Sequence, residues 1–223
     1  MAITIGNSSV RDIYLGNSKV DSVFLGDVMV YGNFMNDPED TYNQFVFDTS
    51  KMSIASVILS PQRGGDTTQW NGYTDWGDGT INKELSHQYA DIGIYTVKTK
   101  YVLNEVYDNN NGAFGWGSKN ALIKCLGVNK NITDASYLFW ACENLESVDL
   151  SNIINYGYLT NMRYMFNKCP SLTRLDISNF NMDNVTDYID MFLGCDNLTL
   201  DNIIMTNCNQ ATKDKIIEAF NNK

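Results

Sequence analysis

Few residues of this chain have the type and spacing that chemistry requires. Its single histidine, His87, has no nucleophile or metal ligand beside it in the sequence, and such a histidine carries no chemistry alone. Asp75 and Asp78 could ligate calcium, but calcium needs about six or more oxygen ligands, so turn-forming roles are favoured. Asp149 and Asp176 could act as a glycosidase carboxylate pair, although both occupy equivalent strand-surface positions of an internal repeat. The sequence therefore predicts no enzyme, no catalytic residue, no metal and no cofactor.

The five cysteines form neither a metal-binding nor a disulfide pattern. Cys142, Cys169 and Cys195 occupy one repeat position beside apolar neighbours, and no Cys-x-x-Cys spacing occurs. We expect these thiols to be reduced and buried, as small residues of a shared core. Cys125 fits the strand position of an incomplete preceding unit, and Cys208 lies near the end of the repeats.

The elements that must position these residues are organised by that internal repeat. Phe139, Phe166 and Phe192 follow one another at steps of 27 and 26 residues. Two further sets keep the same steps: Cys142, Cys169 and Cys195, and Leu145, Leu172 and Leu198. A fixed period of this length predicts units that stack and share a core, because one unit cannot bury its own apolar face.

The middle repeat carries a family resemblance. Its run 160–180 contains Leu172, Leu175 and Ile177 as Leu-x-x-Leu-x-Ile, after the stretch Thr-Asn-Met-Arg-Tyr-Met-Phe-x-x-Cys. This run resembles the BspA-like leucine-rich repeat of about 26 residues found in bacterial surface proteins and gut-phage structural proteins. The resemblance implies a leucine-rich-repeat solenoid over residues 122–223, with inward-facing apolar strand residues. The segment before each strand, such as Asn161–Phe166, is expected to form a short helical turn.

The two ends of this array differ from its middle. Residues 122–126 are interpreted as an incomplete first strand. In the last unit Asp201 stands where an apolar middle position is expected, which is typical of a capping unit. Residues 210–220 have helical spacing and predict a helix that closes the open end of the core. Its apolar face would contain Ile216, Ala219 and Phe220, with Ile217 beside it.

Residues 43–106 alternate as an all-β domain. Three motifs follow one another there: Trp76-Gly77-Asp78-Gly79-Thr80, His87-Gln88-Tyr89 and Gly93-Ile94-Tyr95-Thr96-Val97. In this order and spacing they closely resemble the PKD domain, an immunoglobulin-like β-sandwich. The resemblance implies a structural role for His87.

The same motifs predict local geometry. Gly77 and Gly79 are expected to supply the positive φ of a hairpin turn, in which Asp78 bonds to local backbone. Tyr95 and Val97 are expected to face the core. Trp76 is expected to cover an edge of the domain.

Residues 1–32 contain a shorter repeat. Gly6-Asn7, Gly16-Asn17 and Gly26-Asp27 are turn signals ten residues apart, separated by β-prone stretches. They predict three short strands, too few for an independent core, that pack on other protomers or a larger particle, or dock as a meander on the next domain. The run resembles N-terminal anchoring segments of phage head and tail fibres. The anchoring residues would be Tyr14, Leu15, Phe24, Leu25 and Tyr31.

Two further segments connect these parts. Residues 33–42 are polar, contain one proline and are interpreted as a linker. Residues 107–121 are rich in Asn and Gly, with Phe114 and Trp116 embedded, and are expected to be a loop. Two aromatic rings in such a loop form either a recognition tip or a seal between the sandwich and the solenoid. The candidate binding residues are Phe114, Trp116, Asp149, Arg174 and Asp176.

Composition narrows the choice of partners. The chain has 223 residues, room for one large or two to three small domains, and a net charge of −10. That charge argues against nucleic acid and anionic membranes as partners, since phosphate binding needs clustered Lys and Arg. The N-terminus has no basic region followed by an apolar core, and no apolar run approaches the roughly 20 residues of a membrane helix. We therefore expect neither a secretory signal nor membrane insertion.

The leading functional hypothesis is a non-enzymatic bacteriophage virion protein, such as a head or tail fibre or decoration protein. The whole arrangement resembles structural proteins of gut-bacterium phages, including the crAss-like group. Expected partners are capsid or tail proteins, other copies of the chain, with a trimer favoured, and a glycan or protein of the host surface. The expected location is the virion, assembled in the host bacterial cytoplasm. The alternatives are a bacterial cell-surface adhesin module and an accessory module of a carbohydrate-active enzyme.

Overall fold

The computed structural model describes residues 13–15, 18–20, 22–25, 28–32, 43–53, 55–59, 73–99, 116–128, 134–151 and 159–223, with the backbone alone for the first four ranges and residues 116–117. The described chain is mainly β, with a few short helices and a large mixed sheet. The predicted fold class is confirmed at that level.

The N-terminal strands form two separate hairpins. β1 (Ile13–Leu15) pairs antiparallel with β2 (Ser18–Val20), and β3 (Ser22–Leu25) pairs antiparallel with β4 (Val28–Gly32). The predicted number of three strands was therefore wrong. The β-prone stretch between the second and third turn signals splits into β2 and β3, so that each strand pairs across its nearest turn.

The remaining strands form two layers. In chain order they are β5 (Asn43–Asp48), β6 (Ser56–Ile58), β7 (Thr74–Asp75), β8 (Ile81–Asn82), β9 (Ser86–Gln88), β10 (Ile94–Thr99), β11 (Leu122–Gly127), β12 (Ser147–Asp149), β13 (Arg174–Asp176) and β14 (Ile203–Ile204). Eight of them make one sheet in the order β14-β13-β12-β11-β5-β10-β7-β8, and β6 pairs with β9 in a second, smaller layer. The pairings from β11 to β14 are parallel, and those from β11 through β5 to β8 are antiparallel.

Strand β5 joins the two halves of the large sheet. Phe45 pairs with Val97 of β10 on one side and with Cys125 of β11 on the other. Phe45 and Phe47 are fully buried, and Val46 between them is 9% exposed. A strand covered on both faces is expected to be continuously apolar, as the middle of β5 from Phe45 to Phe47 is. The two regions that the sequence analysis treats as separate domains therefore share one sheet.

The smaller layer contributes to the hydrophobic core. Val57, Leu59 and Tyr89 are buried and belong to the same core as Trp76. Trp76 is itself fully buried, so the expectation that it covers an edge was wrong. Its indole Nε1 donates to Asn82 Oδ1 at 3.0 Å, and its carbonyl accepts the Tyr89 hydroxyl at 2.8 Å. These bonds satisfy the polar atoms that would otherwise oppose burial of the ring.

The prediction that Tyr95 and Val97 face the core is confirmed. Val97 is fully buried, and Tyr95 is half-buried with its ring stacked on Tyr89 at 3.9 Å between centroids. The positive φ angles of Gly77 (82°) and Gly79 (93°) are confirmed as well.

The parallel strands stack an inward row of apolar side chains. Cys125, Val148, Leu175 and Ile203 pair in register from β11 to β14, and none is more than 5% exposed. Asp201 was expected at the middle position of the last strand, and this alignment was wrong. A short 3-10 turn over Leu200–Asn202 precedes the strand, which therefore begins only at Ile203. Ile203 takes the inward position, and Asp201 is exposed.

The segments before the strands are β-turns, so the predicted short helical turn was wrong. Leu138 N–H donates to the Ala135 carbonyl, which closes a turn, while Phe139 N–H donates to the Met165 carbonyl of the next repeat. Tyr137 (φ 57°) stands third in that turn, where a left-handed residue allows the chain to reverse. The same left-handed conformation, with positive φ, recurs in the repeats at Ala141, Tyr164, Lys168, Asp190 and Gly194.

The aligned phenylalanines and cysteines share the core as the period predicts. Phe139 stacks on Phe166 at 5.4 Å, and Phe166 stacks on Phe192 at 5.8 Å, with rings within 6° of parallel. Cys169 Sγ donates to the Phe139 carbonyl at 3.1 Å, and Cys195 Sγ donates to the Phe166 carbonyl at 3.0 Å. All five cysteines are free and buried, which confirms the prediction made for Cys142, Cys169 and Cys195.

Two α-helices complete the described fold. α1 (Trp116–Ala121) replaces the end of the predicted 107–121 loop, and Ser118 Oγ in it accepts the Ile58 N–H of β6 at 2.6 Å. α2 (Gln210–Asn221) lies on the last repeat, with Ile216 fully buried, which confirms the predicted closing helix. Its Lys215 Nζ donates to the carbonyls of Met182 and Val185, which joins the helix to the last repeat.

Candidate binding surfaces

The aspartates of the predicted hairpin turn bond to local backbone. Asp75 Oδ1 accepts the Gly77 N–H at 2.9 Å, and Asp78 Oδ1 accepts the Thr80 N–H at 2.9 Å. Asp78 Oδ2 lies 2.6 Å from His87 Nε2. Burial acts to raise the pKa of Asp78, but the hydrogen bonds from Thr80 and His87 outweigh it and hold the pKa below its usual value. The prediction that these carboxylates form turns is confirmed.

His87 has a partner that the sequence analysis missed. Besides the Asp78 carboxylate, its imidazole stacks on Trp76 at 5.3 Å and meets Tyr89 edge-on at 4.6 Å. These contacts tie β9 to the turn. Asp78 and His87 are nine residues apart, and only the antiparallel return of the chain brings them together, so no spacing rule could have revealed the pair.

Asp149, Arg174 and Asp176 lie on β12 and β13. Asp149 and Asp176 are neighbours in register, and each carboxylate accepts both the backbone N–H and the hydroxyl of the serine two residues later. Arg174 reaches the second oxygen of Asp176 at 3.1 Å. The two carboxylates thus hold the chain in place where it leaves β12 and β13. Arg174 is the most exposed of the three side chains.

The other predicted site residues are placed only in part. Phe114 lies outside the described residues, and Trp116 is the first residue of α1, where the backbone alone is described. Of the anchoring residues, Tyr14 and Leu15 lie on β1, Phe24 and Leu25 on β3, and Tyr31 on β4. Cα atoms of β4 lie within 8 Å of those of β8, the edge strand of the large sheet.

An aromatic and basic surface on the turn side of the repeats was not predicted. Tyr137 lies 4.9 Å from Tyr164 between ring centroids and 6.4 Å from Trp140. Arg163 lies over Tyr164 at 4.7 Å, and Lys168 lies over Trp140 at 5.5 Å. The signal was present in the period, because Tyr137 and Tyr164 are separated by the same 27 residues as the core phenylalanines. The cations lie over the aromatic rings, and these contacts stabilise the packing of one repeat on the next.

A buried lysine lies at the start of this surface. Lys119 of α1 is 3% exposed, and its Nζ lies 4.3 Å from the centroid of the Trp140 ring. Burial lowers the pKa of Lys119 to about 8. The side chain joins α1 to the first repeat, and this again connects the two halves of the molecule.

The described residues show two general properties. No group of three or more His, Cys, Asp or Glu side chains within them is arranged to hold a metal ion. None of the helices in the described ranges combines the length and the apolar character needed to cross a membrane.

The comparisons with known proteins bear on the repeats. The fold described so far defines a mainly β protein whose repeats extend the sheet of a two-layer β region. Residues 120–222 match the family model described as "Mycoplasma protein of unknown function, DUF285", over a little less than half of the chain. Neither the curated proteins nor the solved structures contain a match to this chain.

Proposed function

We propose that this chain is a non-enzymatic structural protein of a bacteriophage particle, a head or tail fibre or decoration protein that displays a binding surface. The observation that carries the proposal is the position of β5, hydrogen-bonded to β10 on one side and to β11 on the other. A continuous sheet and core make the two halves one stiff body. Such a body suits display of a surface at a fixed orientation.

The display body is proposed to combine a PKD-like sandwich with a leucine-rich-repeat solenoid. Support for the first comes from the two β layers and from the turn in which Gly77, Asp78 and Gly79 meet His87. Support for the second comes from one parallel strand per repeat, with Val148, Leu175 and Ile203 pointing inward.

The non-enzymatic part of the proposal is supported by what the carboxylates contact. Both oxygens of Asp78 are engaged, by Thr80 and His87, and both oxygens of Asp176 are engaged, by Ser178 and Arg174. A general acid or nucleophile needs an oxygen that is free to meet substrate. The predicted carboxylates instead stabilise the hairpin turn and the ends of the repeat strands.

Attachment is proposed to occur through residues 1–32 and to involve other copies of the chain, in a trimer, together with capsid or tail proteins. Support comes from the two short hairpins, since neither has enough strands for an independent core. The proximity of β4 to β8 supports the alternative in which the segment docks on its own chain.

A second candidate is a bacterial cell-surface adhesin module. One observation favours it: the family that matches residues 120–222 is described from Mycoplasma, a cellular organism. The display body would serve both functions in the same way. The two candidates differ in what the N-terminal segment is attached to.

Two measurements test these proposals. Mass spectrometry of cells that produce the chain would find its peptides in purified phage particles if the protein is a virion component, and in the cell-envelope fraction if it is an adhesin. Light scattering would compare the full chain with a chain that starts at Asn43. An oligomer that becomes monomeric on truncation supports attachment through residues 1–32, whereas two monomers would contradict self-assembly through that segment.

A further inference from the structure

An open groove lies between the last repeat and the closing helix α2. Its volume is about 450 Å³, within the range of small-ligand sites. It is lined by Thr186, Tyr188, Ile189, Asp190, Glu218, Ala219 and Asn222. None of the sequence-derived candidates lies in it, because its two walls come from segments about 30 residues apart that share no motif.

One wall of the groove offers apolar surface. Tyr188 is half-buried, and its hydroxyl donates to Glu218 Oε2 at 3.0 Å across the groove. Burial and the Glu218 carboxylate raise the pKa of Tyr188, so the phenol stays neutral at physiological pH. Ile189 beside it is 53% exposed. A neutral ring held by a hydrogen bond, with an exposed aliphatic neighbour, suits the C–H face of a sugar.

The polar groups of the groove both donate and accept. The hydrogen bond from Tyr188 uses one oxygen of Glu218, and the second oxygen and the Asp190 carboxylate are acceptors. The Asn222 amide supplies two donors and an acceptor. A hydroxyl group likewise donates and accepts, whereas an ammonium ion only donates and a carboxylate only accepts.

We propose that this groove binds a neutral saccharide of about one or two sugar rings. Two carboxylates and a chain of net charge −10 repel an anionic sugar, and no Lys or Arg is among the residues that line the groove. The inference rests on the proposed display function, to which it adds the ligand class and the site.

The test is NMR titration of the full, ¹⁵N-labelled chain with four probes. Lactose and N,N′-diacetylchitobiose are the neutral saccharides, 3′-sialyllactose is the anionic one, and lysine methyl ester is the cation. We expect the neutral probes to shift the amide signals of Ile189 and Ala219 in a saturable way. No shift at the groove with either neutral probe, or shifts only with the anion or the cation, would overturn the proposal.

Two adjacent asparagines provide a matched pair of variants. Asn222 lines the groove and Asn221 does not, although both are exposed at the end of α2. Asn222→Ala should weaken binding of the neutral probe about tenfold or more, while Asn221→Ala should leave it unchanged. Tyr188→Phe keeps the ring and releases Glu218, and it should retain measurable binding that Tyr188→Ala loses. Equal effects of the two asparagine variants would contradict a site in this groove.

A separate experiment keeps this inference distinct from the proposed function. The full chain and its Asn222→Ala variant would be tested for retention on immobilised polysaccharide from bacterial surfaces. If both proteins are retained and the amide shifts lie outside the groove, the groove is not the saccharide site, and the proposed display function still stands. No retention of either would contradict the adhesive part of the proposed function itself.

Discussion

Phe45 of β5 lies opposite Cys125 of β11, and both side chains are buried. This pair joins the two-layer region to the repeats, because β5 also pairs with β10 through the same residues. The repeats thus begin on an existing strand, and their first inward side chain needs no separate cap.

The turn glycines should differ in their tolerance of a side chain. A Cβ at Gly77 would lie 2.6 Å from the Thr96 carbonyl oxygen, whereas a Cβ at Gly79 would meet nothing within 4 Å. Both have positive φ, so alanine at Gly79 should cost only the conformational term of about 1–2 kcal/mol. Gly77→Ala should cost clearly more in chemical denaturation. Equal costs for the two variants would show that the turn is not held against β10.

The left-handed turn position offers a pair of opposite substitutions. Ala141 (φ 58°) and Gly194 (φ 79°) occupy the same place in their repeats. Ala141→Gly should raise the free energy of unfolding by about 0.5–1 kcal/mol, and Gly194→Ala should lower it by about 1 kcal/mol. A Cβ at Gly194 meets Lys168 only at ordinary contact distance, 3.4 Å, so sterics should add little. Changes of the same sign in thermal unfolding would contradict the turn geometry.

The period allowed much of the core to be predicted, but not how the core begins. Equivalent residues such as Phe139 and Phe166 stack because the repeat spacing encodes a neighbour relationship directly. The pairing of β5 with β11 joins segments about 80 residues apart, and no local pattern encodes it. The β-turns escaped prediction because Tyr137 and Lys168, unlike glycine, carry no sequence signal for a positive φ.

The same limit applies to the candidate sites. Asp149 and Asp176 could be assigned structural roles from the repeat alone, and their serine contacts agree with this. Tyr188 and Glu218 meet only because α2 folds back on the last repeat, so the groove had no counterpart in the sequence patterns.

The attachment of the closing helix α2 to the last repeat should depend on Lys215. Its Nζ donates to the Met182 and Val185 carbonyls at 2.7 and 2.9 Å, and these bonds join α2 to the last repeat. Lys215→Met should lower the free energy of unfolding by about 1–3 kcal/mol, because it removes the lysine donor from both carbonyls and leaves the Met182 carbonyl only the Val185 N–H. Lys213→Met on the same helix is the control and should have little effect. A loss of similar size in both variants would point to helix propensity instead of capping.

The buried thiols should make the protein sensitive to alkali. Burial raises the pKa of Cys142 and of Cys195 from the ordinary value of 9.0 to about 12. Only the unfolded chain ionises these thiols between those values, so their stabilising contribution is complete below pH 9 and is lost as the pH rises towards 12. Denaturation curves across this range should show the loss, and Cys142→Ala should reduce it. Rapid labelling of native thiols by Ellman's reagent at pH 8 would contradict their burial.

The most direct test of a single stiff body is native-state hydrogen exchange of the variant Leu175→Ala. Leu175 lies on β13 and is fully buried, so its truncation should cost about 2–5 kcal/mol. If β5 makes the two halves cooperative, the amides of β10 should lose as much protection as those of β12. Loss of protection confined to β12, β13 and β14, with β10 unchanged, would show that the halves open independently and would contradict the rigid display body.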